Sequence, residues 1–169
     1  DWDSSNDAAG NDAFDGWDSV RGGFRLDSDL TGVDSFTLQG DAYRGAYGET
    51  LTVPSLMAPY ASTFRNNGNF SGGNILARWN REFSRSSTSL KMYYDKTNTA
   101  ADSLLVDQQD IFDIDFQQDI RAGETQELIW GLGYRFATDK IAPSAYVTLN
   151  PDNRSLDLFS AFAQGGVGR

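Results

Sequence analysis

Six stretches of the chain alternate apolar and polar side chains with a period of two: residues 20–26, 36–42, 75–83, 90–94, 112–116 and 128–136. One set reads Val20, Gly22, Phe24, Leu26; Phe36, Leu38, Gly40, Ala42; Ile75, Ala77, Trp79, Arg81, Phe83. It continues through Leu90, Met92, Tyr94; Phe112, Ile114, Phe116; and Leu128, Trp130, Leu132, Tyr134, Phe136. Of these 24 positions only Arg81 is charged, whereas the 18 positions between them carry nine charges. Successive strand side chains point to opposite faces, so the pattern predicts a sheet with one apolar and one polar side. The expected fold is all-β: an antiparallel up-and-down meander of about seven strands, part of a transmembrane β-barrel.

The connections alternate in length. Short turns are expected at 31–35, 85–88 and 121–125, with Gly123 supplying a positive φ. Longer loops are expected at 48–70, 97–109 and 139–154, and a seventh strand at 155–164. Pro54, Pro59 and the cluster Asn66-Asn67-Gly68-Asn69 are read as breaking strand pairing in the first long loop. All the short turns must then lie at one end of the sheet, an asymmetry that outer-membrane barrels share. Tyr43, Tyr47, Tyr134 and Phe136 near the long-loop ends, with Phe36 and Phe83 at the short-turn ends, are read as two aromatic girdles. Residues 1–16 read as an acidic flexible loop, 17–164 as the partial barrel and 165–169 as a tail.

Composition narrows the function classes. A length of 169 residues fits one domain. The net charge of −10 disfavours a phosphate-binding surface, hence nucleic acid. The chain has no cysteine and no histidine, which removes thiolate metal sites and both Ser–His–Asp and Cys–His catalysis. It is therefore expected not to be an enzyme and to carry no cofactor. A mean hydropathy of −0.49 is compatible with a barrel, because alternating faces cancel in any window. No apolar run approaches the ~18 residues of a membrane helix. A secretory signal is expected to have been removed or to lie outside this sequence.

The strand wording carries a resemblance. The phrases WDSVRGGFRLDSDL and DSFTLQGDAYRG, then SGGNILARWNREFS and LKMYYDKTN, resemble the barrel of TonB-dependent outer-membrane receptors. So do DIFDIDFQQDIRAGETQELIWGLGYRFATD and RSLDLFSAFAQ, and the likeness runs from Trp17 to Gln164. It implies an internal barrel segment of a larger receptor, without its plug domain, in the bacterial outer membrane. The function implied is uptake of an iron–siderophore or similar nutrient. The implied partners are outer-membrane lipid, the rest of the barrel, the plug, TonB reached through the plug, and the small-molecule nutrient.

On the polar face, Arg21, Arg25, Arg78, Lys91 and Arg135 form a partly basic wall for an anionic ligand or plug carboxylates. The plainer reading balances them against Asp41, Glu82, Asp113 and Asp115 on neighbouring strands. Asp113 and Asp115, with Asp110 and Asp119 nearby, are read as lumen lining in preference to a paired-carboxylate acid/base site. Tyr60 and Arg65 are candidate ligand contacts in the first long loop. Asp1, Asp3, Ser5, Asp7 and Asp12 echo the oxygen spacing of a calcium loop, but Asn6 replaces the required Gly, and no metal is expected. Arg81, two residues before a short turn, is expected to sit at the rim. The alternative to the barrel is a secreted β-sandwich that binds carbohydrate or another ligand through the same loops.

Overall fold

The computed structural model describes residues 1–102, 104–123, 125–144 and 149–167. Seven strands follow one another along the chain: β1 (Trp17–Asp29), β2 (Asp34–Pro54), β3 (Ala61–Phe83), β4 (Ser86–Ala101), β5 (Leu105–Ala122), β6 (Gln126–Ala142) and β7 (Asn153–Val167). They form one sheet in the order β1-β2-β3-β4-β5-β6-β7, and every neighbouring pair is antiparallel. This is the up-and-down meander that the alternation predicted. The sheet is open, because β1 pairs only with β2 among the strands and β7 only with β6. The described residues make no second sheet, so the two packed layers of a sandwich are not formed among them.

Register keeps the two faces separate across the full width. Directly opposed residues in a ladder share a face. Leu26 lies opposite Leu38, Leu38 opposite Ala77 and Ala77 opposite Met92. The row continues as Met92 opposite Ile114, Ile114 opposite Tyr134 and Tyr134 opposite Phe159. A slip of one residue at any ladder would have moved that row to the other side.

The turns use local chemistry. Between β1 and β2, Thr31 Oγ1 donates to Asp34 Oδ2 at 2.8 Å and accepts from the Asp34 amide at 3.0 Å. Only Ser84 and Arg85 separate β3 from β4. Gly123 has φ +79° in the β5–β6 turn, as expected.

The long-loop ends differ from expectation. The β2–β3 ladder continues until Pro54 meets Ala61, so most of the supposed 48–70 loop is paired strand and only residues 55–60 form the turn. Pro54 occupies the last ladder position, where a missing N–H costs little, and Pro59 lies in the turn. Inside the strand, Asn66 is almost fully buried and its Nδ2 donates to Glu49 Oε1 at 2.9 Å. The amide is satisfied across the ladder instead of competing with it. Likewise β4 and β5 stay paired until Ala101 meets Leu105, so most of the supposed 97–109 loop is strand, and β6 extends to Ala142. β7 runs through Gly165, Gly166 and Val167, which pair with Leu128, Glu127 and Gln126, so these three are strand and not tail. The expected tail residues Gly168 and Arg169, and 145–148 of the third loop, lie outside the described residues.

Burial shows what the sheet lacks. Ala101 is the one buried hydrophobic residue among those described, while Val20, Phe24, Leu26, Ile75, Met92 and Leu132 are 40–58% exposed. The accessible surface is 11872 Å². A compact folded chain of 18.6 kDa would expose roughly 8,200 Å². The excess is that of a single open sheet, whose apolar face has nothing packed on it.

Candidate functional site

The apolar face has polar borders at both ends. At the short-turn end the border is Ser28, Asp34, Arg81, Thr88, Gln118 and Gln126; at the other it is Asp18, Arg44, Ser71, Lys96, Asp110 and Thr138. Border to border, each strand from β1 to β6 crosses 8 to 12 residues. At about 3.3 Å per residue that is roughly 26–40 Å along the strand.

Several border groups are paired. Arg81 lies 3.7 Å from Asp34 Oδ1, and its guanidinium sits 4.9 Å from the Phe83 ring centroid. Trp79 Nε1 donates to the same Asp34 oxygen at 3.1 Å, so the single charge of the alternating apolar set is held at the rim. At the opposite border Tyr94 donates to Asp110 at 2.5 Å, Lys96 lies 3.5 Å from Asp110, and Tyr134 donates to Asp157 at 2.7 Å. Phe36, Phe83, Tyr134 and Phe136 all project on this face, as the girdle reading requires. Tyr43 and Tyr47 do not. They share the parity of Arg21 and Asp41, and their rings lie on the polar face beside Phe70, with centroids at 6.3 and 6.5 Å.

On the polar face most of the candidate charges meet opposite charges. Arg21 bonds Asp41, Lys91 lies 3.5 Å from the directly opposed Asp115, and Arg135 Nε donates to the directly opposed Asp113 at 2.6 Å. Arg25 pairs with Asp27, two residues along its own strand, at 2.7 Å and also donates to Gln39. Asp113 and Asp115 are therefore each engaged by a cation. Asp110 sits on the opposite face, so it is no partner to them. Arg78 differs from the other cations because the residues directly opposite it are Thr37 and Lys91.

The N-terminal residues are organised by their own carboxylates. Asp15 accepts from the Ser5 hydroxyl and amide, each at 2.6 Å, Asp7 accepts from the Asn11 amide at 2.8 Å, and Asp12 accepts from the Ser4 hydroxyl and the Phe14 amide. These bonds hold all three carboxyls below the ordinary carboxylate pKa. The calcium-like spacing does not converge: Asp7 and Asp12 face their own segment's donors, and the described residues contain no group of three or more acids placed to hold a cation.

The segment docks on the β2–β3 extension. The Gly48 amide donates to Gly16 O at 2.8 Å, Thr50 to Ala13 O at 3.0 Å, and Arg65 to Asp12 O at 3.0 Å. Arg65 also stacks 5.0 Å from the Phe14 ring centroid. Arg65 thus serves the N-terminal segment, whereas Tyr60 stands free at the hairpin tip with 70% exposure.

No protein-family model matches this chain, and neither does any curated protein or solved structure.

Proposed function

We propose that this sheet is a section of the wall of an outer-membrane β-barrel, with the apolar face against lipid and the polar face lining the lumen. The observation that carries the reading is the apolar face itself: seven strands wide, unpacked, and bordered by polar residues 8 to 12 positions apart. A strand needs about 9–11 residues to cross a bilayer at a tilt, and at 35–45° the observed spans stand roughly 20–30 Å tall against a band of ≈ 25 Å. A soluble protein would have to leave that area in water, well beyond the few hundred Å² that monomers tolerate in one patch. The strands also continue well past the long-loop border, β2 to Pro54 and β6 to Ala142.

The resemblance of the strand phrases to TonB-dependent receptors supports the narrower reading. On it, the wall belongs to a receptor that imports an iron–siderophore or similar nutrient, completed by further strands and a plug and driven through TonB. Its place would be the bacterial outer membrane. The decisive experiment is refolding. The chain, or the longer protein that contains it, should acquire β structure in detergent micelles or lipid vesicles and aggregate without them. Monomeric folding in plain buffer would refute the wall.

A further inference from the structure

The polar face holds a pocket of about 360 Å³ over β3–β7, lined by Arg78, Lys91, Asn80, Ser89, Gln117 and Ser160. Asp115, Phe116, Leu132, Gly133 and Phe162 complete it. Two facts set it apart from the rest of the wall. Arg78 and Lys91 are directly opposed across β3–β4, and like charges in that position repel. Their surroundings hold one carboxylate, Asp115, which lies 3.5 Å from Lys91 Nζ. The lining therefore carries two cations against one anion, within a chain of net charge −10. Neutral hydrogen-bonding side chains make up half of the remainder, and Phe116, Leu132, Gly133 and Phe162 the other half.

We infer that this pocket binds an organic oxyanion, a carboxylate or phosphonate on a small apolar body. The Arg78 guanidinium, exposed and with no acid opposite it, offers the planar fork that grips two oxygens at once. A bound anion would also relieve its repulsion with Lys91. Asn80 and Ser89, each two residues along the strand from one of the two cations, can donate to the same group. The apolar body would lie against Phe162. Gly133 keeps the floor open, because a Cβ there would come within 2.5 Å of Ser160 Oγ and 3.0 Å of Asp115 Oδ1.

This names a ligand chemistry for the lumen face and so rests on the wall reading. The two can be tested apart. With the chain folded in detergent, titration calorimetry should detect benzoate, weaker acetate and no benzylamine. Arg78→Gln should weaken benzoate about tenfold, the scale of one lost charge-assisted pair, and Phe162→Ala should narrow the gap between benzoate and acetate. Raising salt should weaken binding in the parent chain more than in the Arg78→Gln chain. Lys91→Gln gives a second charge variant should the first fail to fold. Unchanged benzoate binding in the charge variants, or equal binding of benzylamine, would overturn the site while detergent-dependent folding left the wall standing. A chain that folds without detergent would remove the wall whatever the titration shows.

Discussion

Arg135 lies directly across the β5–β6 ladder from Asp113, and its Nε donates to Asp113 Oδ2 at 2.6 Å. One residue further along each strand, Ile114 and Tyr134 oppose each other on the other face. Charge and hydrocarbon therefore alternate at single-residue spacing in the same two strands. On the wall reading the faces respond differently to substitution. Ile114→Lys and Leu132→Lys each put an amine at mid-band and should cost ~2–4 kcal/mol, enough to block membrane assembly. Asp113→Asn with Arg135→Gln exchanges an ion pair for a neutral one and should cost about 1 kcal/mol, leaving assembly intact. Quantifying folded protein in purified outer membranes separates the two, and equal tolerance of both classes would count against the wall.

A second relationship explains how the glycine-rich strands pack. The rings of Tyr47 and Tyr43 lie over Gly68 and Gly72, where an added Cβ would overlap the first ring and come within 2.5 Å of the second's hydroxyl. Gly68→Ala must displace Tyr47 and should cost about 1–3 kcal/mol, the usual penalty of overpacking. In a Tyr47→Ala background the same change should cost less than about 0.5 kcal/mol, since the obstruction is gone. Denaturant unfolding in detergent measures both. Equal costs in the two backgrounds would mean that the ring does not set the requirement for glycine.

How much of this could be read from the sequence depends on whether parity or register was needed. Parity alone gave the meander and both faces, because a period-two pattern survives errors of several residues at strand ends. It also carries the face of Tyr43, two residues after Asp41, whereas closeness to a strand end says nothing about face. The extended hairpins are hidden because proline and asparagine ordinarily break strand pairing. Pro54 at a ladder end and Asn66 bonded to Glu49 do no breaking there. The Arg78 pocket was illegible for a sharper reason. A turn at 85–88 would pair Ser84 with Ser89 and set Arg78 opposite Asp95, an apparently neutral pair. The two-residue turn at Ser84 and Arg85 sets it opposite Lys91 instead. Four residues of register convert a balanced wall into a cationic pocket.

The N-terminal segment should be pH-sensitive. Asp7, Asp12 and Asp15 have carboxyl pKa values lowered by the hydrogen bonds they accept in the docked segment. A lowered folded pKa contributes stability that is present above the ordinary carboxylate pKa and lost as pH falls through the lowered value. Docking should therefore persist at neutral pH and fail progressively below about pH 4. Trp2 and Trp17 exchange backbone hydrogen bonds at 2.7 and 3.0 Å, so their fluorescence reports on the segment. Arg65→Ala, which removes the stacking on Phe14 and the bond to Asp12 O, should move the transition toward neutral pH. A flat fluorescence profile from about pH 6 to about pH 2 would show that the carboxylates do not hold the segment.

The β2–β3 hairpin tip carries the last prediction. Leu56, Met57 and Tyr60 are 101%, 79% and 70% exposed on a turn of six residues that projects past the polar border. Apolar side chains held out in water gain from any surface that covers them, about 1.5–3 kcal/mol for each one fully buried. The paired strands beneath the tip, rather than a slack loop, fix its position and lower the entropy cost of capture. If the tip contacts the nutrient of the intact receptor, replacing Leu56, Met57 and Tyr60 with Ser should weaken ligand binding by roughly ten- to a hundredfold. Assembly should be unaffected, because none of the three belongs to a ladder. Uptake by cells carrying the triple variant, measured beside surface labelling of a tag in the turn, decides the matter. Normal uptake would make the tip a passive cap, and a tag reachable only from the periplasm would invert the orientation of the sheet.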